Sequence, residues 1–211
     1  ALNRAAALIE KADYPRGRVV SQERLAEGVR RRGGSLDTFY YGHNYDSGEL
    51  ARFFRLVEES ADGLSPAEAA LRALLVETGT LSLGPGGIAP GRAIVYVISL
   101  ARIESEGAEA LRRAILRHEI GHAVYARRPA YRDRVAAFWE AEMSAEEREA
   151  FRAFLARTGY DITDRALVLD EMQAYLHFTP DHGMMSDEVL GLGDGTLAAL
   201  RRRFAEGLDG L

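Results

Sequence analysis

The sequence predicts an α+β chain, mostly helical, with a small sheet ahead of one long helix and a helical C-terminal half. Three observations predict it. Helix starts are written out as capping boxes at Ser65-Pro66-Ala67-Glu68 and Ser144-Ala145-Glu146-Glu147. In each, a serine hydroxyl and a glutamate three residues later satisfy one another's backbone N–H groups. Apolar residues recur at helical spacing, as at Leu50, Phe53, Phe54 and Val57. The clearest β-rich run, Ile94-Val95-Tyr96-Val97-Ile98, comes just before the longest helical pattern.

The elements follow in order. Residues 2–12 read as a short helix, and Ser21 caps a second that stops at Gly33-Gly34. Residues 36–45 are aromatic-rich and read as irregular. A helix runs from about Asp46 to Ser60, and the next, opened by Ser65 with Pro66 at its first position, runs to Thr78 and ends at Gly79. Thr80 to Leu83 is a short strand candidate, Gly84-Pro85-Gly86-Gly87 a turn, and Ala93 to Leu100 the principal strand. A long helix spans about Glu106 to Arg128 and is stopped by Pro129. Helices over about 130–142, from Ser144 to Thr158-Gly159, and over 164–178 follow, with short ones after Asp187 and Asp194.

The length of 211 residues suits one domain, 1–211, with a helical N-terminal region over 1–79, a small sheet with the long helix over 80–128, and a helical region over 129–211. Hydrophobic residues make up 47%, enough for a core. The net charge of −5 argues against nucleic acid as a partner. The arginine runs 30–32 and 201–203 have acidic neighbours and read as solvated helix faces. There is no cysteine, which excludes disulfides, a thiol nucleophile and thiolate metal ligands. No apolar run approaches the ~20 residues of a membrane span. The compartment is open. A start without methionine and the lack of cysteine lean towards a periplasmic or secreted protein over a cytoplasmic one. The oligomeric state is not legible.

The chemistry concentrates at His118-Glu119-Ile120-Gly121-His122. On a helix, two histidines four residues apart point the same way, as two ligands of one divalent metal must. Leu111, Ile115, His118, His122 and Tyr125 share a stripe, so the face that should bury carries both imidazoles. Buried imidazoles need partners, and core histidines bonded to carbonyls are the plain alternative to a metal. Gly121 weakens the helix and suits a close approach by another region of the protein.

This pattern resembles the zincin metallopeptidases, gluzincin-like in subclass. Metzincins would want glycine and histidine where Tyr125 and Arg128 stand. The resemblance implies a zincin-like fold and one zinc ion held by His118, His122 and a glutamate from a later helix. It further implies hydrolysis of a peptide or protein substrate by a metal-activated water, with Glu119 as general base. Glu171 is the leading third ligand, because it interrupts the apolar stripe Val168, Tyr175 and Phe178. Glu142, twenty residues after His122, is its rival at a charged helix end. Asp170, His177 and His182 are lesser candidates. Tyr175 is the first choice for the hydrogen-bond donor to the oxyanion, ahead of His43, His177 and His182. Asp170 or Asp181 would orient a ligand histidine. The 93–100 strand would pair with the extended substrate, and the Gly84-to-Gly91 loop would be mobile beside it. Two other readings remain, a zinc-binding regulatory module with little activity and a hydrolase of a non-peptide amide.

Overall fold

A computed structural model describes residues 1–15, 17–36, 39–40, 42–91, 96–100, 107–179 and 183–208. It is α+β and mostly helical. The chain divides into two compact units, Ala1–Ala101 and Arg102–Leu211. Among the described residues no helix is long and apolar enough to cross a membrane.

Unit 1 holds α1 (Asn3–Ile9), α2 (Gln22–Arg31), β1 (Gly42–Asp46), α3 (Ser47–Glu58), α4 (Pro66–Glu77), β2 (Leu81–Gly84), β3 (Gly87–Pro90) and β4 (Tyr96–Leu100). Ser21 caps α2 through its hydroxyl, and Ser65 and Glu68 form the capping box of α4. Asp46 and Glu49 form a further capping box at α3. The apolar face of α3 is the centre of this unit: Leu50, Phe53, Phe54 and Val57 are fully buried. Under α1, the Arg4 guanidinium lies 2.6 Å from the Glu68 carboxylate, with both side chains essentially inaccessible. An isolated buried charge would be very costly, and this pair offsets it with additional bonds to Gly63 and Ser65.

Two expectations in this unit are corrected. The aromatic stretch 36–45 is not irregular throughout, because Gly42–Asp46 is a strand, antiparallel to β4 with Asn44 opposite Ile98. Neither face of this two-stranded ribbon is uniformly apolar, so no alternation marks it, and β pairing is decided by a partner fifty residues away. The Gly84-to-Gly91 segment is not a loop throughout, because Gly87–Pro90 is a strand that forms a hairpin with β2, with Gly84 opposite Gly87. Gly87 takes a positive φ of 86°, which the turn needs and glycine permits. Residues 93–95 of the principal strand candidate lie outside the described residues.

Unit 2 holds α5 (Ala108–Arg127), α6 (Pro129–Ala137), α7 (Ala145–Arg157), α8 (Arg165–Gln173), α9 (Asp187–Leu190) and α10 (Thr196–Glu206). Pro129 occupies the first position of α6, ending α5 and starting its successor. Ser144 and Glu147 cap α7 reciprocally, and Asp164 caps α8. The helices expected over 130–142 and 164–178 are continuous, but each ends in a π-helical turn, Phe138–Glu142 and Ala174–Phe178. One core built on Val135, Phe138, Phe151, Leu155, Met172 and Phe204 joins the unit. Arg201 is not on a solvated face: its Nε and Nη2 donate to the carbonyls of Leu176 and Thr179, at 3.0 and 2.7 Å.

Candidate metal centre

The candidate centre lies wholly within unit 2. Helix α5 buries the stripe containing Ile115, His118 and His122, leaving each histidine 6% exposed. Helix α8 brings Glu171, 4% exposed, against them. Gly121 allows the approach. A Cβ there would stand 2.6 Å from Cδ2 and 2.8 Å from Cγ of Phe178, so only a glycine lets the second π-helical turn press onto α5.

His118, His122 and Glu171 form a buried group that could hold a metal ion. Nε2 of His118 and Nε2 of His122 are 3.1 Å apart. The Glu171 carboxylate lies 3.5 Å from the first and 3.7 Å from the second. A tetrahedral zinc with bonds near 2.05 Å separates its ligand atoms by about 3.4 Å. The Nε2–Nε2 spacing of 3.1 Å and the 3.5 Å from His118 to Oε2 of Glu171 bracket that value, while the contact to His122 is made by the other carboxylate oxygen, Oε1.

Hydrogen bonds on the far side of each ring decide what the near side offers. Asp170 Oδ1 is 2.8 Å from Nδ1 of His122, and an ionised carboxylate can only accept, so this nitrogen carries a proton. Asp170 is itself held by Nε2 of the buried Gln173 at 3.0 Å, and Gln173 accepts from the Tyr131 hydroxyl, also at 3.0 Å. Nδ1 of His118 is 2.9 Å from the Thr179 hydroxyl. Each neutral ring thus turns an Nε2 lone pair inward. Two lone pairs 3.1 Å apart repel unless a cation lies between them.

Without a metal, a proton on His122 would take that place. Burial, then the neighbouring charge of His122, depresses the His118 pKa to about 3, although Glu119 and Asp170 oppose this. Burial would also depress His122, but the carboxylates of Asp170, Glu171 and Glu119 outweigh it and raise its pKa well above 6.5. The residues present therefore fit a divalent metal: it would displace that proton and bind two imidazoles and a carboxylate.

The other sequence candidates fall as follows. Glu119 is buried on α5 between the two histidines, 6% exposed, close enough to act on the charge of both. The Tyr175 ring packs edge-on to His118 with centroids 4.5 Å apart, one turn beyond Glu171. Glu142 is 40% exposed and paired with the largely buried Arg134, outside the group formed by the histidines and Glu171. His177 is exposed and packs on Phe178 and Phe204. His43 belongs to unit 1, where it bonds Ser99 and stacks on Tyr40. His182 and Asp181 lie outside the described residues.

The sequence does not mark out Thr179, Gln173, Tyr131 and Phe178 as belonging to a site. Thr179 carries one available signal, a polar residue directly after the apolar stripe and before Pro180, where the chain must leave the helix. The other three carry none, since they contribute through packing between helices. Comparison of the chain with protein-family models, with curated proteins and with solved structures finds no match, so the geometry of this centre carries the functional reading.

Proposed function

We propose that this protein is a zincin-like, gluzincin-type metallopeptidase that hydrolyses peptide bonds with one zinc ion. The observation that carries the reading is the convergence of two Nε2 lone pairs and a buried carboxylate, with both outer nitrogens already committed. A pair of core histidines would need no third acidic group and no such orientation. His118, His122 and Glu171 would hold the metal, which supplies a Lewis acid that acidifies water towards neutral pH and polarises a carbonyl.

The chain's own residues supply the proton traffic. Glu119, on the same turn as its flanking histidines, would take the proton of the attacking water on its carboxylate. It would then deliver that proton to the nitrogen of the leaving amine. Burial keeps bulk water from competing for it. Asp170 and Gln173 hold His122 in register during this exchange. Tyr175, seated against His118, is the candidate donor to the carbonyl oxygen as it gains negative charge.

The test joins metal analysis with one substitution. The purified protein is expected to carry close to one zinc per chain by elemental analysis and to cleave members of a broad peptide library. Glu119→Gln should keep the zinc and lose at least ~100-fold in rate, the scale of a lost general base. Absence of bound metal at saturating zinc would overturn the proposal. Zinc binding without peptide cleavage would move the function to another bond or to binding alone.

A further inference from the structure

We propose that Thr179 is a positioning residue for this centre: its hydroxyl sets which nitrogen of His118 faces the metal. The inference rests on the zinc reading above and names a device behind it. Thr179 is fully buried at the end of the second π-helical turn. Its Oγ1 makes two bonds, one to the Ala174 carbonyl at 2.9 Å and one to Nδ1 of His118 at 2.9 Å.

A hydroxyl has a single proton. A carbonyl oxygen can only accept, so that proton goes to Ala174. Towards His118 the same oxygen is an acceptor, and the proton in that bond must sit on Nδ1. A neutral imidazole carries one N–H, which leaves the lone pair on Nε2, the atom facing His122 and Glu171. With the opposite tautomer, Nε2 would present a proton where a metal must bind.

The bond depends on where Thr179 is held. The wide π turn puts the Ala174 carbonyl five residues back within reach of the hydroxyl. From α10, Arg201 grips the carbonyls of Leu176 and of Thr179 itself. Phe178, the neighbouring residue, is wedged over Gly121, so the threonine has little freedom to withdraw. At the other ring, the Asp170 carboxylate leaves His122 no choice of tautomer. At His118 the partner on the outer nitrogen is this one neutral group.

Two measurements test it on the full chain. In the metal-free wild type, 15N NMR of the histidine side chains should show His118 protonated at Nδ1 with Nε2 as acceptor, and the reverse assignment would overturn the proposal. In chelator-competition titrations, Thr179→Val should weaken zinc binding about 10- to 100-fold, the cost of an outer hydrogen-bond partner. Thr179→Ser, which keeps the hydroxyl, should restore most of it, with melting of the metal-free variants followed alongside. Zinc affinity unchanged in the valine variant, or lost equally in the serine one, would overturn it. Should the valine variant not fold, the wild-type NMR assignment decides. Failure of the wild type to take up zinc would instead sink the zinc reading itself.

Discussion

Buried ionisable side chains are where this molecule concentrates its chemistry. Glu171 stands in an apolar stripe with its carboxylate 5% exposed, and such a group is tolerated only beside compensating charge. The two imidazoles can supply that compensation, through a proton on His122 or through a metal. Glu142 faces the opposite situation. It is 40% exposed beside Arg134, so water already solvates it and nothing calls for a metal. Glu171→Ala is therefore expected to weaken zinc binding by more than ~100-fold, beyond what loss of an outer partner costs. Glu142→Ala should leave affinity unchanged and lower stability by about 1–3 kcal/mol, because it removes a partner of the largely buried Arg134. A chelator-competition titration of both variants decides between them. Retained affinity in Glu171→Ala would exclude this carboxylate as a ligand.

At the scale of elements, the centre is the crossing of α5 with the helix formed by α8 and its π-helical turn. The histidine spacing on α5 is readable because a 3.6-residue period is a local property. The π turn is not, since the apolar stripe Val168, Glu171, Tyr175 and Phe178 looks the same whether the last turn is α or π. Its consequence is tertiary: it delivers Phe178 to Gly121 and Thr179 to His118. Gly121→Ala places a methyl against Cγ and Cδ2 of Phe178, close to the ring's attachment, where rotation gives little relief. Alanine would gain about 1 kcal/mol of helix propensity, but overpacking of this kind costs roughly 1–3 kcal/mol. The variant should thus be destabilised in urea denaturation and should bind zinc more weakly. An alanine variant as stable as the wild type, with full zinc affinity, would mean that this contact does not position the site.

At the scale of the whole molecule, each compact unit has its own core and its own buried ionisable groups. In unit 1 the acid-sensitive group is His43, 8% exposed, with Nε2 bonded to nothing among the described residues. Burial, and secondarily the N-terminal ammonium, lowers its pKa from 6.5 to about 4. Between those values the unfolded chain holds a proton that the native protein lacks, so stability rises with pH across this window. The contribution is complete above pH 6.5 and is lost as pH falls towards 4, amounting to about 3 kcal/mol at most. His43→Gln should flatten this stretch of the stability–pH curve when unfolding is followed by circular dichroism. An unchanged slope would show that His43 charges without penalty.

The sequence by itself determined the helices, their caps and the pair of histidines on one face of α5. Each of these depends on residues within about five positions of one another, such as Ser65 with Glu68 or His118 with His122. It also put Glu171 and Glu142 ahead of Asp170, His177 and His182 as the third ligand, because a charge in an apolar stripe is conspicuous. Only the tertiary structure decided between Glu171 and Glu142 as neighbours of the histidines. It alone paired β1 with β4, it placed Asp170, already a candidate from the sequence, against His122, and it alone supplied Gln173, Tyr131 and Thr179 behind the rings. The reason is physical. Local periodicity and capping are settled by short-range geometry, whereas strand pairing and the orientation of a buried imidazole depend on hydrogen-bond partners 42 to 61 residues apart, which meet only after the chain has folded.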